Sequence, residues 1–229
     1  MIYLTFIALF LAPSAVLGQA RGSAPGFASG TTGGGSATPQ VPSSIQQYVS
    51  RSPSTDATRT ACSHKNRLKT WLADDTPRVI MLDKVFDFVG SAGSETAQGC
   101  RPPSNTCPTS GGQDAINGAN WCTNAKYPPQ EVTYDKAALT PLEVKSNKSI
   151  VGVGSAGVLR GVGLRLANGV KNVIIQNIHI TQLNPRLIWG GDAITLAGTD
   201  MVWIDHCKVP SSNRSQVRSD GERTGGERC

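Results

Sequence analysis

The residues best placed for chemistry lie between Trp189 and His206. Asp192 follows two glycines in Trp189-Gly-Gly-Asp-Ala-Ile-Thr. A carboxylate so placed either caps the turn that its glycines make or serves a site at the start of the next strand. Asp205 and His206 close the run Val202-Trp-Ile-Asp-His. A histidine near its ordinary pKa is a ready general base. Buried polar groups need partners, however, and within this motif we read Asp205 and His206 as structural, hydrogen-bonding between neighbouring strands. Trp121 and Trp189 each offer flat apolar area with one N–H donor. Trp203 lies inside an apolar strand and reads as packing. The cysteines form no repeated Cys-x-x-Cys and stand beside no histidine pair, so no metal is expected.

The elements that must position these residues follow from local pattern. Leu68, Trp71 and Leu72 fall at i, i+3 and i+4, the spacing of one helical face. Val79-Ile-Met-Leu reads as a buried strand and Val85-Phe-Asp-Phe as a second. Residues 19–44 are rich in Gly, Ser, Ala and Pro and predict an extended, turning lead-in. Residues 90–130 carry three cysteines among polar residues, which predicts a long stapled loop. From about residue 144, short apolar runs recur between Gly and Asn. Ser149-Ile-Val matches Val173-Ile-Ile at an offset of 24, and Gly169-Val-Lys-Asn-Val matches Gly198-Thr-Asp-Met-Val at an offset of 29. Offsets of this size mark a solenoid. The β-branched content makes its rungs strands. The expected fold is all-β, a right-handed parallel β-helix. An antiparallel sandwich is the alternative, weakened by the scarcity of hairpin turn signals.

Composition sets the compartment. The run from Leu4 to Leu17 is apolar with no charge before Arg21, so residues 1–20 read as a secretory signal peptide. The expected localisation is extracellular, with no membrane anchor. Secretion makes Cys62, Cys100, Cys107, Cys122, Cys207 and Cys229 candidates for disulfides, whose pairing the residues alone leave open. Asn147-Lys-Ser and Asn213-Arg-Ser are glycosylation acceptor patterns, read as surface positions. The net charge of +6 is spread without a dense Lys/Arg block, so no nucleic-acid partner is expected. We expect a monomer.

Several segments, in order, resemble the fungal pectin lyases of the pectate and pectin lyase superfamily. They are Gly26-Phe-Ala-Ser-Gly-Thr-Thr-Gly-Gly-Gly-Ser, Thr76-Pro-Arg-Val-Ile-Met-Leu, Ser146-Asn-Lys-Ser-Ile-Val-Gly, Gly161-Val-Gly-Leu-Arg-Leu, Asn172-Val-Ile-Ile-Gln-Asn-Ile, Trp189-Gly-Gly-Asp-Ala-Ile-Thr and Val202-Trp-Ile-Asp-His. The resemblance implies β-elimination on methyl-esterified polygalacturonate without a cofactor. It implies an arginine base, a second arginine where pectate lyases hold calcium, and an aspartate beside it that falls on Asp192. By the same resemblance Trp121 and Trp189 line the substrate cleft, and Cys100 pairs with Cys122 to close a cleft loop. The family's partner for Cys107 has no counterpart here.

The resemblance covers residues 21–209 and stops after Val209, so the β-helix is expected to be incomplete at that end. Residues 210–229 have the composition of a disordered segment. No residue there, Arg214 and Arg218 included, is assigned as a missing arginine. Residues 50–65 also depart from the family. A pectin lyase with weak or no turnover is the expected function. A non-catalytic pectin-binding solenoid and a calcium-dependent pectate lyase relative are the alternatives.

Overall fold

The computed structural model describes Ala20 and residues 22–43, 68–103, 112–209 and 217–219. In chain order the elements are β1 (Pro39–Gln40), α1 (Leu68–Ala73), β2 (Arg78–Leu82), β3 (Val85–Asp87), β4 (Ser94–Cys100), β5 (Asp114–Ala115), α2 (Trp121–Asn124), β6 (Pro129–Asp135) and β7 (Leu142–Glu143). Then come β8 (Lys148–Gly152), β9 (Val158–Arg160), β10 (Leu164–Ala167), β11 (Lys171–Gln176), β12 (His179–Thr181), β13 (Leu187–Ile188), β14 (Ile194–Ala197), β15 (Asp200–Asp205) and β16 (Val217–Ser219).

Three walls of stacked strands enclose one core. The first runs β1-β2-β8-β11-β15, the second β3-β9-β12, the third β7-β10-β14-β16. Three successive coils each contribute one strand to each wall, and every pairing within these walls is parallel. This is a parallel β-helix. The sandwich alternative is overturned, because among the described strands antiparallel pairing occurs only between β4 and its neighbours β5 and β6.

Identical inward positions stack along the axis. Ile80, Ile150, Ile175 and Ile204 share one column. Phe86, Leu159 and Ile180 form a second, and Leu142, Leu164 and Ile194 a third. All but Ile204 are buried. Each such side chain removed from water contributes about 1.5–3 kcal/mol. The offset of 29 is correct, since Val173 pairs with Val202. The offset of 24 is one residue short, since Ile150 lies against Ile175. A slip of one residue would send each side chain to the opposite face.

The outer face of the first wall is not bare. Gly22 to Gln40 crosses it and ends as β1 beside β2. Asn172 pins this strap: its amide oxygen accepts from the Thr32 and Gly33 N–H groups at 2.7 and 2.9 Å. Its amide nitrogen donates to the Gly33 carbonyl at 3.2 Å and to Asn147 Oδ1 at 2.8 Å. Gly34 N–H donates to the Ser149 hydroxyl at 3.0 Å. Ser149 is therefore buried, the inward-facing Lys148 is buried as well, and Asn147 is half-buried. The Lys148 ammonium donates to the carbonyls of Asp74, Thr76 and Ser146 at 2.7, 2.8 and 3.3 Å. Burial pushes its pKa down, and the Asp74 carboxylate opposes that shift.

The long loop expected at 90–130 is partly structured. β4 and β6 pair over their full lengths, from Ser94 opposite Asp135 to Cys100 opposite Pro129. Within the expected tail, Val217–Ser219 pairs with Ile194–Leu196, so the expectation of a wholly disordered segment is corrected there. Residues 50–65, the signal-peptide span up to Gln19, Cys62, Cys107, Asn213 and Cys229 lie outside the described residues. No described helix is long and apolar enough to cross a membrane.

Candidate functional site: an indole pair beside a carboxylate

A small second core anchors the site. Ile188, Ala115 and Cys100 stand in one row across β13, β5 and β4. Cys122 joins them from α2, and all four are buried. Cys100 and Cys122 form a disulfide with Cα atoms 5.7 Å apart. The Asn117 side-chain oxygen accepts from the Cys122 N–H at 2.9 Å, which fixes the start of α2. Trp121 opens that helix and packs on the outside of the second core. Its ring meets Tyr127 edge-on at 5.2 Å and Trp189 edge-on at 5.9 Å between centroids. Such pairs gain energy beyond buried area, because ring edge and ring face carry opposite partial charge. Trp189 keeps 41% of its surface open to solvent. An ordered indole left this open offers a face to a flat, partly apolar partner.

The turn after β13 leads from Trp189 to the Asp192 carboxylate. Asn184 donates to the Asp135 and Gly190 carbonyls at 3.0 and 2.9 Å and accepts from the Asp135 N–H at 2.8 Å. This ties the base of the β4–β6 hairpin to the glycines. A Cβ on Gly191 would stand 2.3 Å from the Ala138 carbonyl oxygen, and its φ is +133°. Only glycine suits that position. Asp192 then enters β14 half-buried, three residues after Trp189. The structure thus brings Trp121 and Trp189 together, and Asp192 follows Trp189 three residues further along the chain.

Asp205 and His206 lie elsewhere, at the end of β15. Gln176 of the neighbouring rung donates to Asp205 Oδ2 at 2.8 Å. His206 Nδ1 sits 2.7 Å from Asp205 Oδ1. The Gln176 bond first, and the His206 bond second, hold the Asp205 carboxyl below its ordinary range. His206 itself is exposed. Trp203 is half-buried on the outer side of the first wall, in register with Ile174. Its inward neighbours Val202 and Ile204 are the ones that meet the core. Cys207 is half-buried and reduced, with burial pushing its thiol up. Among the described residues no group of three or more His, Cys, Asp or Glu side chains could hold a metal ion.

Sequence reasoning missed Tyr127, Asn184 and the Arg101–Asp114 ion pair, at 2.5 Å, on the rim of the same sheet. Asn184-Pro looks like an ordinary turn, and the other two carry no local pattern.

Comparison with known proteins fits this architecture. Residues 116–227 match the family model described as pectate lyase. With the relatives below, this makes the chain similar to the pectate and pectin lyases. It is 54% identical over 216 residues to a probable pectin lyase F of Aspergillus niger, covering 90% of this chain and 40% of that protein. A probable pectin lyase F of Aspergillus flavus is 48% identical over 222 residues, 96% of this chain and 46% of the relative. A probable pectin lyase E of Aspergillus fumigatus is 46% identical over 227 residues, 96% of this chain and 51% of the relative. The chain spans about half the length of the curated relatives it matches.

Proposed function

We propose that the chain is a secreted pectin lyase-type protein whose site binds methyl-esterified (1→4)-α-D-galacturonan for eliminative cleavage. The observation that carries this is the half-open Trp189 indole, braced by Trp121 and placed three residues before Asp192. A sugar ring presents C–H groups on one face, which suits an indole, and an esterified polymer adds no charge to desolvate there. Elimination removes the C5 proton and expels the O4 substituent. The developing charge falls on the ester carbonyl, where a positive group stabilises it. Asp192 serves by orienting such a positive group rather than by taking the proton. The names of the relatives support the same reaction class.

No residue here is assigned as the arginine base that the resemblance implies. For a polypeptide of these 229 residues alone we expect pectin binding with weak or no turnover. The test is retention on esterified pectin together with the absorbance of unsaturated ends, each with and without chelator. Chelator-resistant binding that Trp189→Ala weakens supports the reading. Failure to bind esterified pectin sinks it. Activity on unesterified polygalacturonate that a chelator abolishes would instead favour a calcium-dependent relative.

A further inference from the structure

The third wall carries a charged pair that the site described so far does not use. Leu142, Leu164 and Ile194 point into the core, so the residues that follow them, Glu143, Arg165 and Thr195, share the outer face. Their Cα atoms are in register across β7, β10 and β14. Thr195 is three residues beyond Asp192, roughly 10 Å along an extended chain. Arg165 and Glu143 therefore lie one and two strands from Thr195 on the outer face of the wall whose strand β14 follows Asp192.

The pair is lopsided. Arg165 Nη1 donates to both Glu143 oxygens, at 2.9 and 3.2 Å. Its Nη2 and Nε make no hydrogen bond with another described residue. About a third of the arginine side chain and more than half of the glutamate side chain are open, at 36% and 56%. One edge of the guanidinium is thus occupied, and the rest of it faces outward beside a carboxylate.

This arrangement treats an ester and an acid differently. A methyl ester and a free uronate both offer a carbonyl oxygen to Arg165. Only the free uronate brings a second negative charge, which meets Glu143. A lone guanidinium would grip a carboxylate through two parallel N–H···O bonds, and Glu143 spoils that advantage. Rejection by a placed like charge is a standard source of specificity. We propose that the Glu143–Arg165 pair is a specificity element that selects methyl-esterified over free galacturonate units beside Asp192. The inference rests on the pectin-binding reading above and adds the residues that set ester preference.

Calorimetric titration of the 229-residue chain with a galacturonate hexamer, fully esterified or fully de-esterified, tests it. The wild type binds the ester about tenfold more tightly, a difference of about 1.4 kcal/mol. Glu143→Gln gains affinity for the acid and narrows that ratio to about threefold or less. Arg165→Gln weakens ester binding by about fivefold or more. Added salt shrinks the wild-type preference, because the rejection is coulombic at an exposed site. Thermal unfolding of the two variants checks that the solenoid is intact, and exposed substitutions of this kind change stability little. A Glu143→Gln ratio equal to that of the wild type overturns the specificity proposal and leaves pectin binding standing. A wild type that binds neither hexamer overturns both.

Discussion

Asn172→Ala tests how the strap holds the first wall. The native side chain makes four bonds to the strap, to the Thr32 N–H and hydroxyl, the Gly33 N–H and the Gly33 carbonyl, and a fifth to Asn147. A net hydrogen bond contributes about 1 kcal/mol, and part-exposed ones less, so the five sum to about 3 kcal/mol. The backbone adds to this. Asn172 has a φ of +59°, a left-handed conformation that asparagine tolerates and alanine resists. That costs Ala a further 1 kcal/mol or so. Asn172→Ala should therefore destabilise by about 4 kcal/mol, or roughly 10 °C in melting temperature for a domain of this size. Asn172→Gly removes the same bonds without the left-handed penalty, although a freer unfolded chain offsets part of the gain. It should be the milder variant by about 0.5–1 kcal/mol. The assay is urea unfolding of both variants, followed by limited proteolysis. Cleavage should appear first between residues 22 and 40, since the strap loses its clasp while the inward isoleucine column is untouched. A loss below about 1 kcal/mol with an uncut strap would refute the account, because one net hydrogen bond is then all the side chain supplies.

Other outcomes follow from the site. Trp189→Ala should lower affinity for esterified pectin by about tenfold with a smaller cost in stability than Trp121→Ala, since the indole is 41% open; unchanged retention on pectin would count against the indole reading. Trp121→Ala should lower both affinity and stability, because that ring also packs on the second core; a fully native melting curve would contradict this. Replacing Cys100 and Cys122 by serine removes a crosslink between residues 22 apart in sequence. Denaturant unfolding should show a loss of about 3 kcal/mol, and the Trp121 emission should shift as its support loosens. Asp205 has a folded pKa below its ordinary value, so its contribution is complete above the ordinary carboxylate range and fades as pH falls through the folded value. Asp205→Asn should accordingly flatten the acid limb of stability below about pH 4; an unchanged limb would show that the Gln176 bond contributes nothing to folding.

What could be read from the residues, and what could not, follows from which faces are wet. The rungs were legible because their inward columns repeat apolar types, as with Val173 opposite Val202. The register between β8 and β11 was misjudged by one residue for a physical reason. The strap covers the outer face of that wall, so Ser149 and Ile174 are as buried as the inward Ile150 and Ile175. With both faces dry, the period of two that marks a half-buried strand disappears. The β4–β6 hairpin was hidden by the opposite condition. Ser94 to Gln98 is largely exposed, so no apolar alternation betrays it, and only the burial of Gly99 and Cys100 marks where it joins the molecule. The site divides the same way. The two glycines before Asp192 announce a forced backbone turn, and the tryptophan before them has no place in a packed rung. Asn184, which clamps that turn to the hairpin, acts through a long-range contact with Asp135 that no local pattern encodes. Trp189 and Asp192 therefore follow a segment clamped by a contact between residues 49 apart in sequence. An Asn184→Ala variant should blunt pectin binding by loosening the turn although Trp189 and Asp192 are both retained, which separates the clamp from the residues it aims. If its affinity for esterified pectin matched the wild type, the turn would be held by its glycines alone.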